Sequence, residues 1–178
     1  MSDILEELKN RRSIRWYEEK PVPEELLDKI AEAGLYAPSG MGRQAVRILV
    51  ITDDKTVRTL GKINGQIMGK EGFDAFYGAP AVLCVLADRD NPTGIYDGSS
   101  AITNMLAEAA SLGLGSCWIN QLKSLNADPD INGYLISLGM DPQERVYGAL
   151  ALGYAATEDG LPNHEPGQRK GNPVTIII

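Results

Sequence analysis

The chain has 178 residues, with 17 Lys and Arg against 24 Asp and Glu, and so a formal net charge of −7. Hydrophobic residues make up 43%, charged residues 23% and aromatics 6%, an ordinary globular composition that excludes collagen-like, disordered and disulfide-scaffold classes. The acidic balance also argues against a general nucleic-acid binder, which needs a positive face for phosphates.

A chain of this length buries roughly 70% of its unfolded surface, so one domain spanning residues 1–178 is expected. No apolar run approaches the ~20 residues needed to cross a bilayer. The acidic, amphipathic N-terminus is unlike a secretory signal. Cys84 and Cys117 lie far apart in apolar surroundings, as buried thiols in a reducing cytosol do. One histidine and no CxxC make a transition-metal site improbable. The expectation is a cytoplasmic, metal-free protein that engages neither membrane nor nucleic acid.

Residues 2–10 read as a short amphipathic helix with Ile4, Leu5 and Leu8 as its stripe. A second helix starts at Pro23, its apolar face Leu26, Leu27, Ile30 and Ala33 and its end weakened by Gly34. After the loop 37–44, residues 46–51 suggest a strand, 56–67 a helix with Asp53-Asp54 capping it, and 81–87 a buried strand. The glycine-rich stretch 69–78 fits no element. The clearest helix is expected from a cap at Ser99 or Ser100 to Leu112; Ala101, Ile102, Met105, Leu106, Ala109 and Ala110 leave few polar positions, so it should be buried on several sides. Residues 117–119 suggest a short strand, 128–138 a helix stopped by Gly139, and 146–154 another strand. A polar arm, 155–173, leads to Val174-Thr175-Ile176-Ile177-Ile178, a sticky strand edge if left uncovered. That tail either folds back onto its own sheet or joins the sheet of a second copy. Interleaved helices and strands around one sheet give α/β or α+β.

Three stretches could carry chemistry. Arg11-Arg12-Ser13-Ile14-Arg15 is basic in an acidic protein, and guanidinium forks match phosphate oxygens; the same arginines could instead complement the C-terminal end of the first helix. Pro38-Ser39-Gly40-Met41-Gly42-Arg43-Gln44 offers close backbone approach at its glycines and polar contacts from Ser39, Arg43 and Gln44, or is simply a connection. Gly113-Leu114-Gly115-Ser116-Cys117-Trp118 is not a Rossmann fingerprint, because a helix precedes the glycines and a strand follows them. His164 sits in a surface-type loop with no Gly-x-Ser-x-Gly elbow to make a triad. Arg169-Lys170 reads as solvated charge that could also close a phosphate site.

In this order along nearly the whole chain, the basic run, the Ala37-Pro38-Ser39 loop leading to Gln44, the helix from Asp97 to Leu112, the 113–119 segment and the late basic pair resemble the nitroreductase family of FMN enzymes. The resemblance implies an α+β three-layer fold, a central mixed sheet flanked by helices, and a homodimer in which the C-terminal strand crosses to the partner. It implies that Arg11, Ser13 and Arg169 or Lys170 hold the FMN phosphate, with Arg12 assisting, and that Arg15 faces the pyrimidine side of the ring. Ser39, Gly40 and Gln44 would meet the ring or ribityl chain, while Trp118, Ile119, Asn120 and Gln121 would line the other ring face across the interface. Many relatives carry Asn where Gly42 stands and Pro-Trp where Ala45-Val46 stand, so a flavin hydrogen bond is expected to be lost and the pocket enlarged. The implied activity is ping-pong electron transfer from NADH or NADPH through FMN to a nitroaromatic, quinone or similar small acceptor. A flavin or ene reductase on the same fold, or a non-catalytic flavin carrier or redox sensor, is the alternative.

Overall fold

The computed structural model describes residues 4–121, 128–157, 171 and 174–177. In chain order they form α1 (Ile4–Asn10), α2 (Glu24–Leu35), a 3-10 turn (Gly40–Gly42), β1 (Arg47–Ile51), α3 (Asp54–Ile67), β2 (Ala81–Asp88), α4 (Gly94–Ser111), β3 (Gly115–Ile119), α5 (Pro129–Ser137) and β4 (Glu144–Gly153). Asp53 caps α3 as its sequence suggests, its carboxylate accepting from the Thr56 amide at 2.9 Å and the Thr56 hydroxyl at 2.6 Å, so that helix starts two residues earlier than the apolar pattern indicates.

The start of α4 differs more. Neither Ser99 nor Ser100 caps it: the helix begins at Gly94, and the Ser99 hydroxyl donates back to the Ile95 carbonyl at 2.7 Å inside the helix. The reason lies in the sheet. The β2–β4 register slips between Val85 and Leu86, leaving Tyr147 as an extra residue on β4. Its ring then packs onto the first turns of α4, where a Cβ on Gly94 would sit 2.4 Å from a ring carbon.

The sheet order is β1-β2-β4-β3, with every strand pairing antiparallel. The mixed character expected is confined to one isolated parallel bridge, Ser13 to Ser116. Because β-strand side chains alternate, the sheet has two apolar faces. Leu83, Val85, Leu150 and Leu152 meet α2 and α4 on one; Val82, Cys84, Leu86 and Ala149 meet α3 and α5 on the other. All of β2 except Asp88 is buried, as a central strand covered on both faces requires. Gly34 lets α2 close on α4 and β1: a Cβ there would lie 2.7 Å from Ile48 and 2.9 Å from Met105.

At one end of the sheet Arg47 grips Glu144 through Nε at 2.9 Å and donates to the Gly139 carbonyl at 2.8 Å. The hydrogen bond from Arg47 holds the Glu144 carboxyl below the usual range, against the opposing effect of burial. A carboxyl lowered in the folded state stabilises above its unfolded pKa, about 4.3, and that contribution disappears as pH falls through the folded value. Glu144→Gln should therefore be less stable than wild type at pH 7, and the gap should narrow below about pH 4, as urea unfolding at the two pH values will show.

Among the described residues, apolar side chains near both ends of the chain stay exposed. The stripe Ile4, Leu5 and Leu8 of α1 faces solvent, and α1 has no buried residue. Residues 174–177 join no strand among the described residues, with Ile176 77% and Ile177 94% exposed. The tail therefore does not fold back onto this sheet within what is described.

Candidate cofactor site

The basic run is pinned along the free edge of β3. Ile14 N donates to the Ser116 carbonyl at 2.9 Å, Ser13 bridges Ser116, and further on Tyr17 bridges Ala155 beyond the end of β4. Gly115 makes room for this pairing, since a Cβ would lie a tight 3.0 Å from Ile14 Cγ2. The three arginines then separate in role. Arg12 Nη1 donates to the carbonyls of Lys9, Asn10 and Arg11 at 2.7, 3.1 and 2.8 Å, which are the orphan acceptors at the end of α1; it does what a helix-capping cation does. Arg11 differs: its Nη1 is buried and has no hydrogen-bond partner among the described residues. An unpaired buried guanidinium nitrogen is costly, and an anion at this spot beside the exposed Ser13 would satisfy it.

Arg15 stands with its guanidinium carbon 5.7 Å from the Tyr77 ring centroid. Hydrogen bonding with the Tyr77 side chain, more than any other cause, raises its pKa, so it stays a cation throughout the working range. Tyr77 is delivered by the 69–78 stretch that sequence patterning could not assign. The Asp74 carboxylate accepts from Phe76 N at 2.8 Å and Gly78 N at 2.9 Å, holding Tyr77 at φ 59°. Cys117 lies in the same neighbourhood; burial pushes its thiol up, against the pull of Arg15 and Ser13. Burial likewise pushes Cys84 up to about 12. Both are free thiols, protonated and inert.

The 39–44 turn forms a second cluster. Ser39 Oγ accepts from Gln44 N at 2.9 Å, Gly40 N donates to Asp97 Oδ1 at 2.8 Å, and Met41, Gly42 and Gln44 all have positive φ. Gly40 is glycine because a Cβ would strike Thr93 at 2.6 Å, a packing reason and not a ligand's. Gly42 stands at φ 65° with open space around it, a conformation that Asn also tolerates. Burial raises the Asp97 carboxyl, but donation from Gly40, Thr93 and Asn91 and the charge of Arg43 outweigh it and hold it low. Tyr77 and Thr93 escaped the sequence reading, and Asp97 entered it only as the start of a helix, with no role at the turn. Only the acidic residue in the first turn of an otherwise apolar helix hinted at Asp97.

Trp118 and Ile119 occupy opposite faces of β3: Trp118 packs in the layer with α2 and α4, its buried indole N–H unpartnered among the described residues, and Ile119 is buried against the other layer. Their side chains thus serve the core, and what the strand offers a ligand is its outer backbone edge. Asn120 and Gln121 are exposed just past it. Arg169, Lys170 and His164 lie outside the described residues.

The two clusters do not meet within one chain. β1 and β3 are opposite edges of the sheet. Ser116 is level with Ala81, whereas Arg47, at the start of β1, is level with Leu86. Ser116, which bridges Ser13, and Arg47, three residues after Gln44, therefore stand at diagonal corners, roughly 20 Å apart by strand spacing and rise. Among the described residues no cluster of His, Cys, Asp and Glu could hold a metal ion, and no helix is long and apolar enough to cross a membrane.

The sequence profile described as the nitroreductase family matches residues 8–154. A Methanothermobacter thermautotrophicus protein, provisionally named NADH dehydrogenase/NAD(P)H nitroreductase, is 34% identical over 163 residues, covering 89% of this chain and 80% of its own. The crystal structure of a Bacteroides fragilis nitroreductase with bound FMN superposes with a TM-score of 0.88 at 33% identity, covering 100% of both chains. An FMN-bound nitroreductase from Desulfitobacterium hafniense gives 0.82 at 25% identity over 98% of this chain and 100% of its own. Sequence along most of its length and fold along all of it agree: the protein belongs to the nitroreductase family.

Proposed function

We propose that two copies of this chain, each acting as one domain, bind FMN between them and catalyse electron transfer from NAD(P)H to a small organic acceptor such as a nitroaromatic or a quinone. The observation that carries this is the buried Arg11 Nη1, unpartnered among the described residues, beside Ser13 at the edge of β3, a donor set that fits a phosphate monoester. Two solved nitroreductases of the same fold carry bound FMN, which supports this reading. The diagonal separation of the two clusters supports a composite site, with the basic run and β3 edge of one chain facing the 39–44 turn of its partner.

Bound FMN would supply the hydride chemistry, so the protein need not furnish an acid or base. Arg11 and Ser13 bind the phosphate, with Arg169 or Lys170 closing it; Arg12 acts through the end of α1. Arg15, kept cationic beside Tyr77, would face the pyrimidine side of a bound flavin and favour its negatively charged form. Ser39, Gly40 and Gln44 of the partner turn meet the ring or ribityl chain. The backbone of Trp118 and Ile119, with Asn120 and Gln121, lines the flavin along the edge of β3. NAD(P)H and acceptor take turns in the remaining space, which predicts parallel lines in double-reciprocal kinetics. The free, buried cysteines suit a reducing cytoplasm.

The test is purification followed by anaerobic titration. Protein as isolated or after FMN addition should be yellow, and NADH or NADPH should bleach it. A panel of nitroaromatics, quinones and free flavin then separates a nitroreductase from a flavin reductase, the activity named for a Bacillus subtilis relative 28% identical over 145 residues. Bound FMN that neither nucleotide bleaches would make the protein a carrier, and a chain that never binds FMN would end the proposal.

A further inference from the structure

The 39–44 turn is held in a costly backbone shape by a group outside it. Met41 and Gln44 have φ of 57° and 50°, conformations that persist in non-glycine residues only where the surroundings over-determine them. Inside the turn, the bond from Gln44 N to Ser39 Oγ helps. From outside, Asp97 Oδ1 takes the Gly40 N–H at 2.8 Å, while its Oδ2 accepts the Thr93 hydroxyl at 2.8 Å and the Asn91 amide at 3.5 Å. Asp97 is 4% exposed. An acid in the first turn of a helix need only answer the helix dipole, for which an exposed position suffices. Here the carboxylate is buried and one oxygen is committed to the neighbouring loop.

We propose that Asp97 is a positioning residue that ties the 39–44 turn to the start of α4 and thereby sets how tightly that turn grips the flavin. The proposal rests on the reading of the turn as part of an FMN site. Thr93 and Asn91 orient the carboxylate, and the Thr93 side chain, standing where a Cβ of Gly40 would be, keeps the turn seated.

Arg43 is exposed within the turn, so trypsin cleavage after it reports opening of the turn without any flavin present. In flavin-free protein, Asp97→Ala should speed that cut about tenfold, as expected where local opening controls access. Asp97→Asn, which keeps an acceptor for Gly40 N–H, should cut near the wild-type rate. FMN affinity, read by quenching of flavin fluorescence, should fall about tenfold in Asp97→Ala and recover to within about threefold in Asp97→Asn. If Asp97→Ala does not fold, Thr93→Val serves: it removes the hydroxyl on Asp97 but keeps the methyl against Gly40, and should move both readouts in the same direction by less. Unchanged cleavage at Arg43 in a folded variant overturns the proposal, as does faster cleavage with undiminished FMN affinity. A wild-type protein that binds no FMN sinks the cofactor reading instead, whatever the protease shows.

Discussion

Replacing Arg11 by alanine should weaken FMN binding by about 1.5–3 kcal/mol, roughly ten- to a hundredfold, without lowering the stability of the flavin-free protein. The two halves of that expectation share one cause. Among the described residues Arg11 Nη1 is buried and makes no hydrogen bond, so without a ligand it costs desolvation with no bond to offset it. With a phosphate beside it the same nitrogen gains a charge-assisted bond. Thermal unfolding with and without FMN separates the effects: wild type should gain stability on adding FMN by mass action, and Arg11→Ala should gain little. Arg12→Ala is the internal contrast. Its guanidinium holds the last carbonyls of α1, so its loss should fall on the stability of the flavin-free protein more than on FMN affinity. An Arg11 variant that keeps its FMN affinity would leave the phosphate without its assigned partner.

Deleting residues 174–178 should convert a dimer into a monomer and take FMN affinity with it. Val174, Ile176 and Ile177 are almost fully exposed in one chain. Two arms crossing in a dimer would bury six such described side chains at about 1.5–3 kcal/mol each, before the entropy of ordering the arms is subtracted. That is large enough to decide association. Because the basic run and the 39–44 turn stand at diagonal corners of one sheet, a monomer cannot bring both to one flavin. Sedimentation velocity and an FMN titration on the same sample provide the check. A truncated chain that remains dimeric with FMN bound would show that the exposed stripe of α1 suffices for the interface and that the tail is dispensable.

The sequence by itself determined the layers. The unbroken apolar run of β2, the near-uniform apolarity of α4 around Ile102 and Met105, and the period of α2 each depend on local side-chain pattern, which directly reports burial on one face or two. It also determined the charge chemistry of Arg11, Ser13 and Arg15, because a basic cluster in a chain of net charge −7 stands out without knowledge of contacts. Tertiary structure alone decided which of these groups is free to act. Arg11 and Arg12 are neighbours of the same type, yet Arg12 is spent on carbonyls of α1 while Arg11 is left with a bare nitrogen. The packing at the start of α4 was likewise out of reach, since it involves Tyr147, which a slip in the β2–β4 register leaves against Gly94, more than 50 residues away in sequence. So were the Asp97–Gly40 tie and the Tyr77–Arg15 contact. Each joins residues distant along the chain, and only the closing of the sheet makes them neighbours.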